Sequence, residues 1–477
     1  MKKEGKKHSL VKVAGLMVLF TALLTWVIPQ GMFQGSSINV TEITRVGLFD
    51  FFTYGLLGMY YFTVLVTFLF VLGAFYEVLS KTNGYQTLTS SIAKIFKGKE
   101  ILFALIVSLL VAGVSAVTNE YIVVISVIPF IITIMNKMKL DKITGFVTTF
   151  GSILVGVLGS IYSTKVVGMS VNYFSQSYEL TFNTLLWVRL VTFAVSYIAF
   201  NLFTVLHIRK VRNDKKSEVM PDLFENTKVS ENSKSKAWSI ATVFCLFVII
   251  TLLAYLPWET VFNTTWTTKA LDSITKAEVF GSPIFSYILG NVSAFGQWDI
   301  FGVQIAMLVA ILVIKLIDRM PIDEVLESFG EGFRKTGKLV IILLLCYIVL
   351  EFTVMFPVMP TIINWFFGLF GNASEKLVLA ISPIAGLFTS LFTVEYQYTV
   401  SLIGLYLAGA HSTNFGQVAY MLQSTFGLAS MFSPASAILL MGLSYLGISY
   451  KEWMKYIWKF LLIMFAVIII LMIIVCK

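Results

Sequence analysis

Two acidic residues stand in short polar clumps that interrupt otherwise apolar stretches of the chain. Glu120 lies in the first clump and Glu395 in the second. A carboxylate in a hydrocarbon core is costly and is tolerated where it faces protein, water or a ligand. The clumps therefore indicate a substrate or coupling-ion site, although buried acids bonded to neighbouring helices, or surface loops, would show the same pattern. The candidate binding residues in the clumps are Thr118, Asn119, Glu120, Thr393, Glu395 and Gln397.

A second group of candidate residues lies after each acidic clump, where glycine, serine, threonine and proline interrupt a long apolar segment. Proline removes a backbone donor, and a broken helix exposes backbone groups that a ligand or an ion can satisfy. Small residues also let helices pack closely in lipid, which is the alternative interpretation. The candidate residues in the two breaks are Ser160, Ser163, Thr164, Lys165, Ser433, Pro434 and Ser436.

Lys165 is the charged residue of the first break and allows two interpretations. Its ammonium can pair with Glu120 or with an anionic substrate, or can stand in for a bound cation. A lysine near a helix end can also extend its side chain to the membrane surface. The sequence leaves both possibilities open.

The elements that must position these residues are membrane helices. Of 477 residues, 57% are hydrophobic and only 13% are charged, whereas soluble domains carry about a quarter charged residues. Many apolar blocks are long enough for a helix to cross roughly 30 Å of hydrocarbon. The net charge of +9 comes from Lys and Arg between these blocks, which indicates orientation by the positive-inside rule and not nucleic-acid binding. We therefore predict an all-α integral membrane protein of the plasma membrane with a cytoplasmic N-terminus.

The apolar blocks predict about nine transmembrane helices and two re-entrant helical hairpins. The hairpins are predicted at about 101–135 and 377–410, each with an acidic clump at its tip. Lysines flank both ends of the first hairpin, whereas the second is nearly free of Lys and Arg at its ends, so the two should open to opposite sides. The predicted spans are about 10–28, 50–78, 143–175, 184–206, 237–256, 301–317, 339–356, 417–447 and 455–475.

Three short matches about 275 residues apart predict an inverted repeat. They are 119–121 with 394–396, 150–151 with 426–427, and 168–170 with 442–444. An inverted repeat is typical of carriers that work by alternating access, in which scaffold and transport subdomains move relative to each other. The predicted divisions are a first repeat 1–206 with a broken helix at 143–175, a basic cytoplasmic linker 207–236, a connecting span with an external loop 237–300, and a second, inverted repeat 301–477 with a broken helix at 417–447.

The sequence contains no complete motif of a soluble enzyme. The stretch 332–338 resembles the start of a P-loop, but Leu339 follows Lys338 where Ser or Thr would bind magnesium. The three histidines and three cysteines have no metal-ligand, triad or CxxC spacing. We expect no enzyme activity, no resident metal and no cofactor, only a coupling ion, Na⁺ or H⁺.

Six stretches in order along the chain are LTWVIPQG at 24–31, LSKTNG at 79–84, NE at 119–120, LDKITG at 140–145, SFGEG at 328–332, and a C-terminal stretch from SPAS at 433–436 to GISYKEW at 447–453. As a set they resemble the YfcC/DcuC-type carriers of the ion transporter superfamily, a group of C4-dicarboxylate carriers and basic amino acid antiporters. The resemblance implies a scaffold able to form a homodimer and a mobile transport unit that holds both hairpins. This chain departs from relatives at the tips, where they carry paired acids or a Ser-rich run, and at the first break.

Together these features predict a secondary transporter of a small polar solute, embedded in the lipid bilayer and binding no nucleic acid. Two acidic tips favour a cationic or zwitterionic amino acid, of the arginine or ornithine type, moved by exchange or with a cation. The alternative substrate is a C4-dicarboxylate, which the family resemblance and Lys165 favour. A channel or a structural membrane subunit is a remote alternative, because a channel needs a continuous polar stripe.

Overall fold

The computed structural model describes residues 9–34, 37–175, 178–212, 220–225, 228–231, 233–259, 261–370, 374–410 and 414–475. Within these ranges the chain is predominantly helical, which confirms the predicted fold class. The helices in chain order are α1 Ser9–Val27, α2 Leu48–Tyr61, α3 Thr63–Ser80, α4 Asn83–Ile95, α5 Glu100–Thr118, α6 Tyr121–Ile125, α7 Ile128–Lys137, α8 Lys142–Phe146, α9 Ser152–Leu158, α10 Met169–Phe174, α11 Leu186–Arg212, α12 Ala237–Tyr255, α13 Trp266–Thr275, α14 Ile284–Leu289, α15 Ile300–Asp318, α16 Ile322–Met355, α17 Met359–Gly368, α18 Glu375–Ser390, α19 Tyr396–Ala410, α20 Phe415–Ser430, α21 Ala437–Tyr445 and α22 Tyr450–Val475. Two π-helical segments, Val147–Gly151 and Thr164–Gly168, precede α9 and α10.

The described part of the chain contains eight helices that are long and apolar enough to cross a membrane. The first arm of the first predicted hairpin, Glu100–Thr118, is one of them, whereas both predicted broken helices consist of shorter pieces. The eight are Leu10–Val27, Thr63–Ser80, Glu100–Thr118, Leu186–Val211, Ala237–Tyr255, Ile300–Asp318, Ile322–Met355 and Tyr450–Val475.

Two predicted spans have different bounds in the structure. The span expected at 50–78 is divided at Phe62, which leaves helical geometry between α2 and α3. The span expected at 339–356 is the second half of α16, which begins at Ile322. The first half of α16 is amphipathic: Ser328, Gly332 and Thr336 are buried, and the exposed face is charged. Because one face is buried, this charged segment is helical and continuous with the apolar second half.

A small antiparallel sheet is the element that the all-α prediction omits. Strands β1 Gly31–Gln34 and β2 Ser37–Val40 pair in the register Gly31 with Val40. The backbone N–H of Gly31 donates to the carbonyl of Pro357 over 3.0 Å. The sheet is therefore fixed to the start of α17 by backbone hydrogen bonding, which short strands need because two strands alone are marginally stable.

Close backbone contacts join the helices that surround the core. α3 packs along α16, where a Cβ on Gly73 would clash with the carbonyl of Gly332. α9 crosses α20, where a Cβ on Gly427 would clash with the backbone of Leu158. Helix backbones approach this closely only at glycine or other small residues. The second crossing brings the two predicted broken helices together in the interior.

Part of the predicted cytoplasmic linker is buried. The described segment 220–225 places Met220 and Phe224 among the fully buried side chains, and Oδ2 of Asp222 accepts a hydrogen bond from Thr133 over 2.8 Å. The ammonium of Lys335 on α16 lies 5.2 Å from the ring centre of Phe224. Residues 213–219, which hold several of the predicted basic residues, lie outside the described part.

Candidate functional site

The first polar clump is a break between α5 and α6. α5 ends at Thr118, and Asn119 takes up a left-handed conformation with φ 51°, which asparagine tolerates better than most residues. The Thr118 hydroxyl accepts a hydrogen bond from the backbone N–H of Glu120 over 3.1 Å. The turn thereby presents the side chains of Asn119 and Glu120 between the two helix ends.

The second clump is a break between α18 and α19. The hydroxyls of Thr393 and Thr399 lie 2.5 Å apart and tie the break to the start of α19. The carboxylate of Glu395 accepts a hydrogen bond from the hydroxyl of Tyr347, over 2.7 Å. Tyr347 belongs to α16, so this tip is joined to a helix outside its own hairpin.

Serines hold both broken helices in the same way. In the first break, the Ser163 hydroxyl accepts a hydrogen bond from the N–H of Val166 over 3.1 Å. In the second break, the Ser436 hydroxyl accepts from the N–H of Leu439 over 3.4 Å. A serine at this position satisfies a backbone donor that a helix start leaves unpaired.

Each break has a second serine three residues earlier, and this serine is hydrogen-bonded to a residue of another element. The carbonyl of Ser160 accepts a hydrogen bond from the Gln423 side chain over 2.7 Å. The Ser433 hydroxyl donates to the carbonyl of Leu391 over 2.6 Å. The first bond links the first break to α20, and the second links the second break to the second tip.

Lys165 lies beside the first tip. Its ammonium lies 2.8 Å from a carboxylate oxygen of Glu120 and 5.8 Å from the ring centre of Tyr121. The Lys165 side chain is 46% exposed and that of Glu120 is 13% exposed. The lysine is therefore directed at the first tip, and solvent still reaches it.

The tips and the breaks surround one cavity of about 130 Å³. Five predicted site residues line it, and the oxygen of the Asn119 amide is buried there without a hydrogen-bond partner. Such an unpaired buried group is costly unless something else bonds it. The lining residues among the predicted ones are Asn119, Lys165, Glu395, Gln397 and Ser436.

The other predicted residues do not line the cavity. Glu120 is joined to it through Lys165. Thr164 and Pro434 lie within the breaks and are partly buried. Five residues hold the surrounding backbone or side chains by the hydrogen bonds or caps described, or by a local bond: Thr118, Ser160, Ser163, Thr393 and Ser433.

Sequence reasoning missed the aromatic residues of the site. Tyr121 and Tyr396 each follow the acidic residue of a tip and line the cavity, and the Tyr396 hydroxyl lies 2.5 Å from that of Ser170. The repeated Glu-Tyr pair was a usable signal for both. Tyr347 had no such signal, because it lies far from either clump in the sequence.

The charges around the cavity are unevenly placed. Among the described residues that line it, Lys165 is the one with a positive charge and Glu395 the one with a negative charge. The first two residues of α21, Ala437 and Ile438, also line it, so the positive end of that helix dipole faces the cavity. No group of three His, Cys, Asp or Glu side chains suited to a metal occurs in the part of the chain described.

Comparisons with known proteins agree with a membrane transporter. A family model described as C4-dicarboxylate anaerobic carrier, DcuC, matches residues 8–477. No curated protein matches the chain significantly.

Two solved structures are similar at low identity. The YdaH transporter of Alcanivorax borkumensis is 12% identical, with 98% of each chain covered and a TM-score of 0.39. MtrF of Neisseria gonorrhoeae, from a class of antimetabolite efflux pumps, is 10% identical, with 98% of this chain and 94% of that chain covered and a TM-score of 0.39. Similarity at this level carries no argument about the site.

Proposed function

The chain belongs to the C4-dicarboxylate anaerobic carrier family and is a secondary membrane transporter, and from this premise we propose that its substrate is a C4-dicarboxylate. The observation that carries the proposal is the solvent-accessible ammonium of Lys165, which lines the cavity between both tips and both breaks. An ammonium forms charge-assisted hydrogen bonds with carboxylates, which are roughly twice as strong as neutral ones. This substrate is the alternative that the sequence left open, not the amino acid that two acidic tips favoured.

The remaining polar groups suit the other end of a dicarboxylate. The start of α21, at Ser436 and Ala437, turns the positive end of the helix dipole toward the cavity. Discontinuous helices with their N-termini directed at anionic groups are a common binding mode in transporters. The side chain of Asn119 also lines the cavity, and its amide N–H₂ group is a neutral donor for a carboxylate. In this proposal Lys165 binds one carboxylate, and the α21 start with Asn119 binds the other.

In this proposal the transporter works by alternating access, in which the part of the chain with the two broken helices moves. The second tip contacts the other half of the chain through Tyr396 with Ser170, and a distant helix through Glu395 with Tyr347. We propose that the unit holding both tips moves relative to α3 and α16, with the two predicted repeats inserted in opposite orientations. Glu395, held by a neutral hydroxyl, is the proposed group through which a coupling Na⁺ or H⁺ acts.

A cationic or zwitterionic amino acid is the second candidate substrate. The observation that favours it is the Glu395 carboxylate, which lines the cavity and has no cationic partner among the described residues. An ammonium group of the substrate would pair with this carboxylate. The carboxylate of a zwitterion would then meet Lys165.

Uptake of labelled succinate, aspartate, arginine and ornithine into proteoliposomes tests the proposal. We expect saturable succinate uptake that unlabelled dicarboxylates accelerate from inside, which is the sign of exchange by a carrier. Uptake of arginine or ornithine without succinate would overturn the substrate and favour the second candidate. Flux that does not saturate would overturn the carrier mechanism.

A further inference from the structure

A long apolar groove runs between α12 and the arm formed by α5, α6 and α7, with α4 at one end. Its volume is about 500 Å³, and apolar side chains form nearly all of its lining. This groove, called here the α5–α12 groove, is separate from the cavity at the tips and shares no lining residue with it. Six of its lining residues are Leu88, Val107, Val111, Phe130, Val248 and Leu252.

The groove faces outward between two helices that are able to cross a membrane. Leu110 on α5 is 63% exposed and Ile249 on α12 is 52% exposed, and both line it. Cys245, also on the lining, is an exposed free thiol. Helices that cross a membrane face lipid, and a gap beside such side chains would forfeit their dispersion contacts. Hydrocarbon is the occupant whose chemistry matches the walls.

The length of the groove matches one leaflet. Its lining on α12 extends from Ala241 to Leu252, which at about 1.5 Å per residue is about 16 Å. Half of the roughly 30 Å hydrocarbon core is about 15 Å. An acyl chain from one leaflet would therefore fill the groove from end to end.

One end of the groove is basic. Lys94 lies in the last turn of α4, and Lys97 and Lys99 lie between α4 and α5. All three are exposed and form no ion pair with another described residue. α12 begins directly after Lys236, which is also exposed. Clusters of lysines beside membrane helices attract anionic lipid headgroups. The apolar walls and the basic end thus match the two parts of one molecule.

We propose that the α5–α12 groove binds an anionic phospholipid, with an acyl chain between α5 and α12 and the headgroup at Lys94, Lys97 and Lys99. The lipid then contacts the arm that carries the first tip. Val123 and Val124, in the groove wall, follow Tyr121 by two and three residues within α6. Filling the groove supports that short helix from behind and so links membrane composition to the position of Asn119 and Glu120.

The first experiment fills the groove. Val248→Trp places a large side chain in it, and Leu246→Trp is the matched control because Leu246 is 52% exposed on α12 but does not line the groove. Native mass spectrometry would count the phospholipids retained after delipidation and addition of phosphatidylglycerol or phosphatidylcholine. We expect the wild-type protein and the control to retain one phosphatidylglycerol at least tenfold better than Val248→Trp does.

The second experiment tests the headgroup. The triple variant Lys94→Gln, Lys97→Gln and Lys99→Gln changes only exposed side chains and should lose the preference for phosphatidylglycerol over phosphatidylcholine. Equal retention of the two lipids by the wild-type protein, or an unchanged preference in the triple variant, would overturn the proposal. A change of oligomeric mass in Val248→Trp but not in Leu246→Trp would overturn it too, because a second copy of the chain would then cover the groove. If Val248→Trp fails to fold, the triple variant alone decides.

Discussion

The two tips carry the same acidic residue but give it different partners. Glu120 pairs with the ammonium of Lys165, from the broken helix of its own half of the chain. Glu395 accepts a hydrogen bond from the neutral hydroxyl of Tyr347, on the long helix α16. Equal residue types at matched positions therefore have unequal electrostatic roles.

Within the proposed function, this difference assigns the anion to the first tip. At the first tip the carboxylate neutralises a cation that lies on the cavity, so a substrate carboxylate must compete with Glu120 for Lys165. At the second tip no cation offsets Glu395, which favours a cation or a proton there. A dianion moved with a coupling cation fits both tips together.

The largest expected effect comes from Lys165→Met. Loss of a hydrogen bond to a charged group costs about 1.5–3 kcal/mol, which corresponds to a rise in KM for succinate of about 10- to 100-fold. The measurement is initial uptake rate against succinate concentration in proteoliposomes. Lys165→Arg is the matched control and should retain most of the affinity. An unchanged KM in Lys165→Met would show that the first tip does not bind the anion.

A smaller effect is expected from Tyr347→Phe, which removes the donor to Glu395. A single hydrogen bond contributes about 1 kcal/mol, so we expect transport to fall about fivefold and its dependence on Na⁺ or pH to change. Tyr420→Phe is the control, because the Tyr420 hydroxyl lies 2.8 Å from that of Thr192 and does not line the cavity. Equal losses in the two variants would show that only packing was disturbed.

Glu120→Gln should have a still smaller effect, and in the opposite direction. The ion pair is partly exposed, and such pairs contribute about 0.2–1 kcal/mol. Freeing Lys165 from it should lower the KM for succinate, about fivefold at most, as measured by the uptake assay. A cationic substrate would respond by a higher KM, so the sign of the change separates the two candidate substrates.

The smallest effect compares the two serine caps. Ser163→Ala and Ser436→Ala each remove a cap, at a cost of about 1 kcal/mol of unfolding free energy. We expect similar losses of thermal stability, measured by melting of the purified protein. Only Ser436 lines the cavity, so only Ser436→Ala should also weaken succinate uptake. Weaker uptake in both variants would show that the caps act through the shape of the breaks.

Local patterns made the tips and the breaks predictable from sequence. A polar clump, or a cluster of glycine, serine and proline, interrupts a helix at its own position in the chain. Such a break is therefore visible in a short window of the sequence. The cavity lies where those patterns indicated a site. The membrane character followed from long apolar blocks and from a charged fraction about half that of an ordinary soluble domain.

Contacts between elements that are far apart in the chain could not be predicted from the sequence. Tyr347 reaches Glu395 from α16, and Gln423 reaches Ser160 from α20, without any local signal. The division at Phe62 involves neither glycine nor proline, so nothing in the residue types marked it. The predicted span began only at 339 because the buried face of the first half of α16 appears only at helical spacing.

The buried linker segment has a mechanical consequence. Asp222 and Phe224 of this segment connect α7, which follows the first tip, with α16, which contacts the second tip. Sliding of one helix past the other must either carry this segment along or break the Thr133–Asp222 bond and separate Phe224 from Lys335. The segment that connects the halves of the chain therefore also resists movement of these helices past each other. In the proposed motion, the unit that holds both tips must overcome these two contacts before it moves relative to α16.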